Sequence, residues 1–179
     1  MFKINKWVLV FVLNIVSLSL IAQVSPQDIY IKVGEAQVKK SLMAFPALQF
    51  SSSSTAAPQH QKLGIELYKV IKNDLEVTGY FDFIDPKAFL EDTSKISPLP
   101  FPEAPNGFKY DSWKSIGAEF LIRMNFSVLG DQLSLEAHCY HVPKLKKIIS
   151  KKYKGGTSQL SKLAHTFAND LVLALTGKE

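Results

Sequence analysis

The chain has 179 residues, of which 46% are hydrophobic and 21% charged, with a formal net charge of +5. That length and balance suit one domain with its own core and exclude a chain dominated by disorder-prone composition. The single cysteine, Cys139, excludes an intramolecular disulfide framework, and the mild basic excess favours acidic surfaces in general without naming a nucleic acid.

Lys3 and Lys6 precede an uncharged apolar run from Trp7 to Ala22, the pattern of a secretory signal peptide. The run is short for a membrane span, which wants about 20 apolar residues, and Asn14 interrupts it. Cleavage after Ala22 is expected, with Ser17 and Ser19 as a second small-x-small site and an uncleaved anchor as the competing reading. Residues 1–22 are thus a signal peptide and residues 23–179 the working domain, whose net charge falls to +3 with the loss of Lys3 and Lys6.

The mature chain opens on Asp28–Gly34, where Ile29, Ile31 and Val33 alternate as in an edge strand. Leu42–Leu48 reads as an apolar strand in which Pro46, lacking a ladder donor, prefers an edge or an end. Gln49–Pro58, rich in Ser, Thr and Ala, is expected to be irregular. From Pro58 to Val77, Leu63, Leu67, Val70 or Ile71, and Leu75 recur at helical spacing, with Pro58 suited to the first turn and Gly79 to the position after the last. Tyr80–Ile84 follows as a strand and Asp85-Pro86 as the start of a short helix through Leu90. Ser97–Gly107 carries four prolines and is expected to be an extended surface loop. Tyr110–Ile116 forms a short helix with Trp113 in the core, stopped by Gly117.

Glu119–Val142 reads as a β-hairpin whose register follows from its letters. A two-residue turn at Gly130-Asp131 pairs Leu129 with Gln132, and outward from there sets Val128 opposite Leu133, Phe126 opposite Leu135, Met124 opposite Ala137 and Ile122 opposite Cys139. The other face, pairing Ser127 with Ser134, Asn125 with Glu136 and Arg123 with His138, is expected to be wetter, giving an antiparallel sheet with one buried face. Leu145–Lys154 continues as a third strand whose lysines suit a sheet edge. Gly155-Gly156 is expected to turn the chain, Thr157 or Ser158 to cap a last helix with Leu160, Leu163, Ala164, Phe167, Leu171 and Leu175 on its packing stripe, and Gly177 to end it.

The chemistry-bearing residues offer little convergence. His138 and His141 stand three apart on a strand and point to opposite faces; Cys139 and His141 share a face but are two ligands short of a tetrahedral metal site. Gly155-Gly156-Thr157 ahead of a helix, with Lys154 nearby, could receive an anion, although turn and cap chemistry accounts for the same residues. Lysines 144, 146, 147, 151, 152 and 154 form a basic edge with Tyr153 as the one interleaved aromatic, so a solvated edge is favoured over nucleic-acid binding. No nucleophile elbow and no locally placed carboxylate pair marks an enzyme, and no cofactor or metal is expected.

The order of these elements resembles the TolB amino-terminal domain family. The resemblance is carried by Ile29–Gly34, by Leu42–Leu48 with its Phe45-Pro46, by the helix running into Gly79-Tyr80-Phe81-Asp82-Phe83-Ile84-Asp85, by Trp113–Glu119 leading into the hairpin, and by Leu175-Thr176-Gly177. It implies an α+β fold, a mixed β-sheet with an antiparallel hairpin packed by two main α-helices, in a non-enzymatic periplasmic interaction module of the Tol-Pal envelope-integrity and transport system. It further implies that the mature arm contacts TolA, with Gln23, Val24, Asp28, Ile29, Tyr30, Ile31 and Lys32 as the partner-binding residues. The family's carboxy-terminal β-propeller, which binds Pal, has no counterpart repeat within these residues, so direct Pal binding is not expected of them. The alternative is a stand-alone periplasmic adaptor, such as a cell-wall synthase activator, using the sheet or its lysine-rich edge.

Overall fold

The computed structural model describes residues 39–51 and 58–177. The expected signal run, the strand at Asp28–Gly34 and all seven candidate partner-binding residues lie outside them. The described strands are β1 (Ser41–Ala44), β2 (Gln49–Phe50), β3 (Phe81–Phe83), β4 (Ser97–Pro100), β5 (Gly107–Phe108), β6 (Phe120–Leu129), β7 (Gln132–His141) and β8 (Lys146–Gly156). The helices are α1 (Pro58–Val77), α2 (Tyr110–Ser115) and α3 (Leu160–Thr176), with single 3-10 turns at Pro86–Ala88 and Thr157–Gln159.

The main sheet runs β3-β1-β6-β7-β8, with β2 paired to β6 farther along. β1 and β2 are parallel to β6, whereas β6, β7 and β8 form an antiparallel meander. The sheet is therefore mixed, as expected for this α+β chain. Every hairpin pair expected from the alternation is present, from Leu129 opposite Gln132 to Ile122 opposite Cys139. Gly130 turns at φ +60°, a conformation that costs a glycine little.

Both long helices lie on one face. Leu67, Ile71 and Leu75 of α1 join Leu163, Phe167, Leu171 and Leu175 of α3 over Ile122, Met124, Phe126, Leu133, Leu135 and Cys139 of the sheet. Helix α1 has the expected bounds; Thr78 Oγ1 donates to the Leu75 carbonyl at its end, and Gly79 follows at φ +74°. Gly64 supplies a close approach on this face, since a Cβ there would stand 2.9 Å from the Phe126 ring.

The second face departs from expectation. Residues 84–118 fold back over its β1 end, where Phe108, Trp113 and Ala118 pack on Ala44, Leu121, Tyr140 and Val142. Arg123 and His138, expected on a wet face, are 2% and 3% exposed. Alternation along β6 and β7 could not show this, because the cover comes from a segment distant in sequence. That segment is also more ordered than its prolines suggested: within the expected loop Ser97–Gly107, β4 and β5 pair as a small parallel sheet. Gly107 is required there, since a Cβ would fall 2.4–2.6 Å from backbone atoms of Leu99, Pro100 and Phe101.

Three boundaries also move. The apolar run Leu42–Leu48 is strand only through Ala44; the chain leaves the ladder at Phe45-Pro46 and re-enters at Gln49–Phe50, inside the stretch expected to be irregular. Gly155-Gly156 does not turn but ends β8, opposite Leu133 and Gln132. A Cβ on Gly155 would meet Gln159 Oε1 at 2.9 Å and Leu163 at 3.4 Å, so the glycine admits α3 to the strand. Thr157 does not cap α3: its N–H donates to the Asp131 carbonyl at 2.8 Å and its hydroxyl to the Asp131 carboxylate, tying the helix start to the hairpin turn.

Candidate interaction surfaces

Where the cover over the second face stops, a polar groove of about 420 Å³ opens between β2, β6 and the 93–98 segment, lined by Gln49, Ser51, Ser94, Ser97, Asn106 and Asn125. Two side chains from neighbouring strands hold its 93–96 wall in place. Gln49 Nε2 donates to the carbonyls of Thr93 (2.6 Å) and Ile96 (2.8 Å), and Arg123 Nη2 donates to the same two at 3.2 and 3.0 Å. Burial pulls the guanidinium down to about 10, with Glu91 acting in the opposite direction, so Arg123 remains a cation at neutral pH. Its Nε and Nη1, and the buried Asn125 Oδ1, have no hydrogen-bond partner among the described residues. Beyond Asn125 the open sheet continues as a shallow hollow lined by Ser127, Ser134, Glu136 and Lys152. Such a surface offers side-chain donors and acceptors, neutral and charged, to an extended polar ligand.

The histidines and the cysteine do separate by face. Cys139 is fully buried on the helix side, where burial drives its thiol pKa upward. His138 lies on the other side, its Nδ1 2.9 Å from Ser150 Oγ, and burial lowers its pKa against the pull of Glu136. His141 Nδ1 accepts from the Lys144 N–H at 3.1 Å, closing the β7-β8 turn. Among the described residues no three potential ligands gather as a metal set. At Gly155-Gly156-Thr157 the donors an anion would use are taken from within: Gly156 N–H donates to Gln159 Oε1, and Asp131 holds Thr157, placing a carboxylate where an anion would sit.

The basic edge is a true edge, because β8 ends the sheet and no described strand pairs with its outer side. Lys151 meets Asp170 at 3.0 Å and Lys147 meets Glu103 at 2.8 Å, whereas Lys144, Lys146, Lys152 and Lys154 make no ion pair among the described residues. Lys152 and Lys154 pair across β7 with Glu136 and Ser134 and therefore stand on the polar face.

Two side chains central to this architecture carried no sequence signal. Glu91 accepts from Lys109 N–H (2.9 Å), Ser112 Oγ (3.1 Å) and Trp113 Nε1 (2.8 Å), capping α2 from a distance where Lys109, at the cap position, has no side-chain bond of its own. Gln49 sits inside a stretch whose composition reads as loop. Neither role follows from local spacing, since each partner lies far along the chain.

These features define a small α+β domain with two long helices on one face of a mixed sheet, a partial cover on the other, and a lysine-rich edge strand at its rim. The family model of the TolB amino-terminal domain matches residues 29–148, and the chain belongs to that family. It is 28% identical over 116 residues to the Tol-Pal system protein TolB of Geobacter sulfurreducens, covering 65% of this chain and 25% of that protein. With the Tol-Pal system protein TolB of Desulfosudis oleivorans it shares 29% identity over 149 residues, 83% of this chain and 32% of that one. The chain thus spans about a quarter to a third of the length of these curated relatives. The crystal structure of TolB from Acinetobacter baumannii superposes with a TM-score of 0.56 at 15% identity, over 78% of this chain and 29% of that one, a likeness of fold. Among the described residues no helix is long and apolar enough to cross a membrane.

Proposed function

We propose that this chain is a non-catalytic protein-interaction module of the Tol-Pal envelope system, exported to the periplasm by cleavage of residues 1–22. The observation that carries the reading is the family match over residues 29–148, together with relatives named as Tol-Pal system proteins. In this reading the arm comprising Gln23, Val24, Asp28, Ile29, Tyr30, Ile31 and Lys32 contacts TolA. Its alternating Ile29, Ile31 and Val33 suit a segment that orders on its partner and adds main-chain hydrogen bonds to a sheet edge.

Deleting Gln23–Gln27 and measuring TolA binding in solution tests the arm: a loss of roughly tenfold or more is expected, and unchanged affinity would remove the arm from the interface. Crosslinking in cells tests the system. Recovery of TolA supports the assignment, whereas recovery of a cell-wall synthase with no Tol component replaces it with the adaptor reading.

A further inference from the structure

The outer edge of β8 extends over Lys146–Gly156, 11 residues whose outward N–H and C=O groups meet no described strand. Sheet edges of this length are ordinarily covered, shortened or charged against unwanted pairing. Here the charge has one sign. Five of the 11 residues are lysines, and among the described residues only Lys147 and Lys151 meet a carboxylate. A second copy of the chain is a poor occupant: antiparallel pairing about Ser150 sets Lys146 against Lys154, and pairing about Lys151 sets that lysine against itself. Like charges directly opposite each other destabilise a pair of strands.

We infer that the β8 edge is a docking site for an extended acidic segment of a partner protein, which joins the sheet as an additional strand. Main-chain groups at strand spacing supply the hydrogen bonds, and Lys152 with Lys154, two residues apart on one face, select acidic side chains at alternate positions. Glu136, the cross-strand partner of Lys152, stands on the inner side and leaves the outer side basic. The edge is made by residues other than those of the arm.

The test uses the purified protein with a synthetic peptide of β8's length alternating glutamate with threonine and valine, read by calorimetry and by amide hydrogen exchange. Expected are saturable binding, new protection of the outward amides of β8, and a weakening of roughly tenfold or more in K152E/K154E. K62E/K162E, an equal charge change placed on the helices, is expected to bind as the parent does. The same peptide N-methylated at alternate residues retains its charge but loses strand donors, and is expected to fail. No binding, binding indifferent to N-methylation, or equal binding of a single-stranded oligonucleotide would each overturn the inference, the last in favour of a nucleic-acid edge. Deleting Gln23–Gln27 is expected to leave peptide binding intact, which separates a failure here from a failure of the arm.

Discussion

The wall of the polar groove makes a quantitative prediction because Gln49 and Arg123 share their acceptors. The carbonyls of Thr93 and Ile96 each receive one bond from Gln49 Nε2 and one from Arg123 Nη2. In Gln49→Leu both carbonyls keep the guanidinium, and the loss is two neutral hydrogen bonds, about 1–2 kcal/mol together. In Arg123→Met both keep the amide, while a buried cation with two unpartnered donors is replaced by an apolar chain of similar length; the net change is expected within about 1 kcal/mol and in either direction. The double variant removes the last side-chain donor from two part-buried acceptors. Orphaned acceptors cost about 1–3 kcal/mol each, and the adjoining groove admits water, so the low end applies and the coupling is roughly 2 kcal/mol beyond additivity. Urea unfolding of the four proteins, read at constant m, measures the cycle. Additivity within about 0.5 kcal/mol would show that the shared carbonyls do not hold the cover to the sheet.

Gly64→Ala gains about 1 kcal/mol of helix propensity but drives a Cβ to 2.9 Å from the ring of Phe126, which packs in the core and must shift to admit it; melting should fall in the parent and rise when the same change is made in Phe126→Leu. Glu91→Ala leaves the buried Trp113 indole N–H and the start of α2 without their acceptor and should cost about 2–3 kcal/mol, with Trp113 fluorescence reporting the loosened cover and Glu91→Gln retaining part of the stability. His138 has a depressed pKa in the fold because it is buried, with Lys147 adding to the depression and Glu136 and Glu103 opposing it. Its contribution is complete above the unfolded value of about 6.5 and is lost as pH falls from there through the folded value, so His138→Asn should flatten the acid limb of the stability profile. His141, lowered in the same direction, leaves a residual slope.

Local periodicity sufficed wherever a residue's fate depends on neighbours in the chain. The hairpin register follows from alternation, because a slip of one residue would exchange Phe126 and Leu135 for Ser127 and Ser134 in the core. The bounds of α1 follow from Pro58, a helical stripe and Gly79. What the letters could not show is cover arriving from elsewhere. Arg123 and His138 look like solvent-facing positions until residues 84–118 fold over them, and Gln49 looks like loop until β6 pairs with it. The glycine pair at 155–156 resembles a turn for the same reason: its smallness serves the approach of Gln159 and Leu163, a contact absent from local pattern.

One local pattern, the adjacent Ile148 and Ile149 between lysine pairs, connects core to edge. In a regular strand the two side chains would face opposite ways, and one isoleucine would be stranded outside. The ladder instead shifts between Cys139 and Tyr140: Cys139 pairs with Ile149, but Tyr140 pairs with Lys147, leaving Ile148 as the inserted residue. Both isoleucines then pack on the helix-side core. The same bulge turns Lys147 onto the covered face, where its ammonium stands 5.9 Å from the Tyr140 ring and 2.8 Å from Glu103. Bulges bend a strand and raise its twist, a common protection for an edge. Here that protection is confined to the Lys146–Ile149 end, while Ser150–Gly156 keeps regular pairing with β7 and carries Lys152 and Lys154, which meet no carboxylate among the described residues. The regular half of the edge therefore carries Lys152 and Lys154 two residues apart on one face, and a partner strand would find both its hydrogen bonds and its counter-charges there.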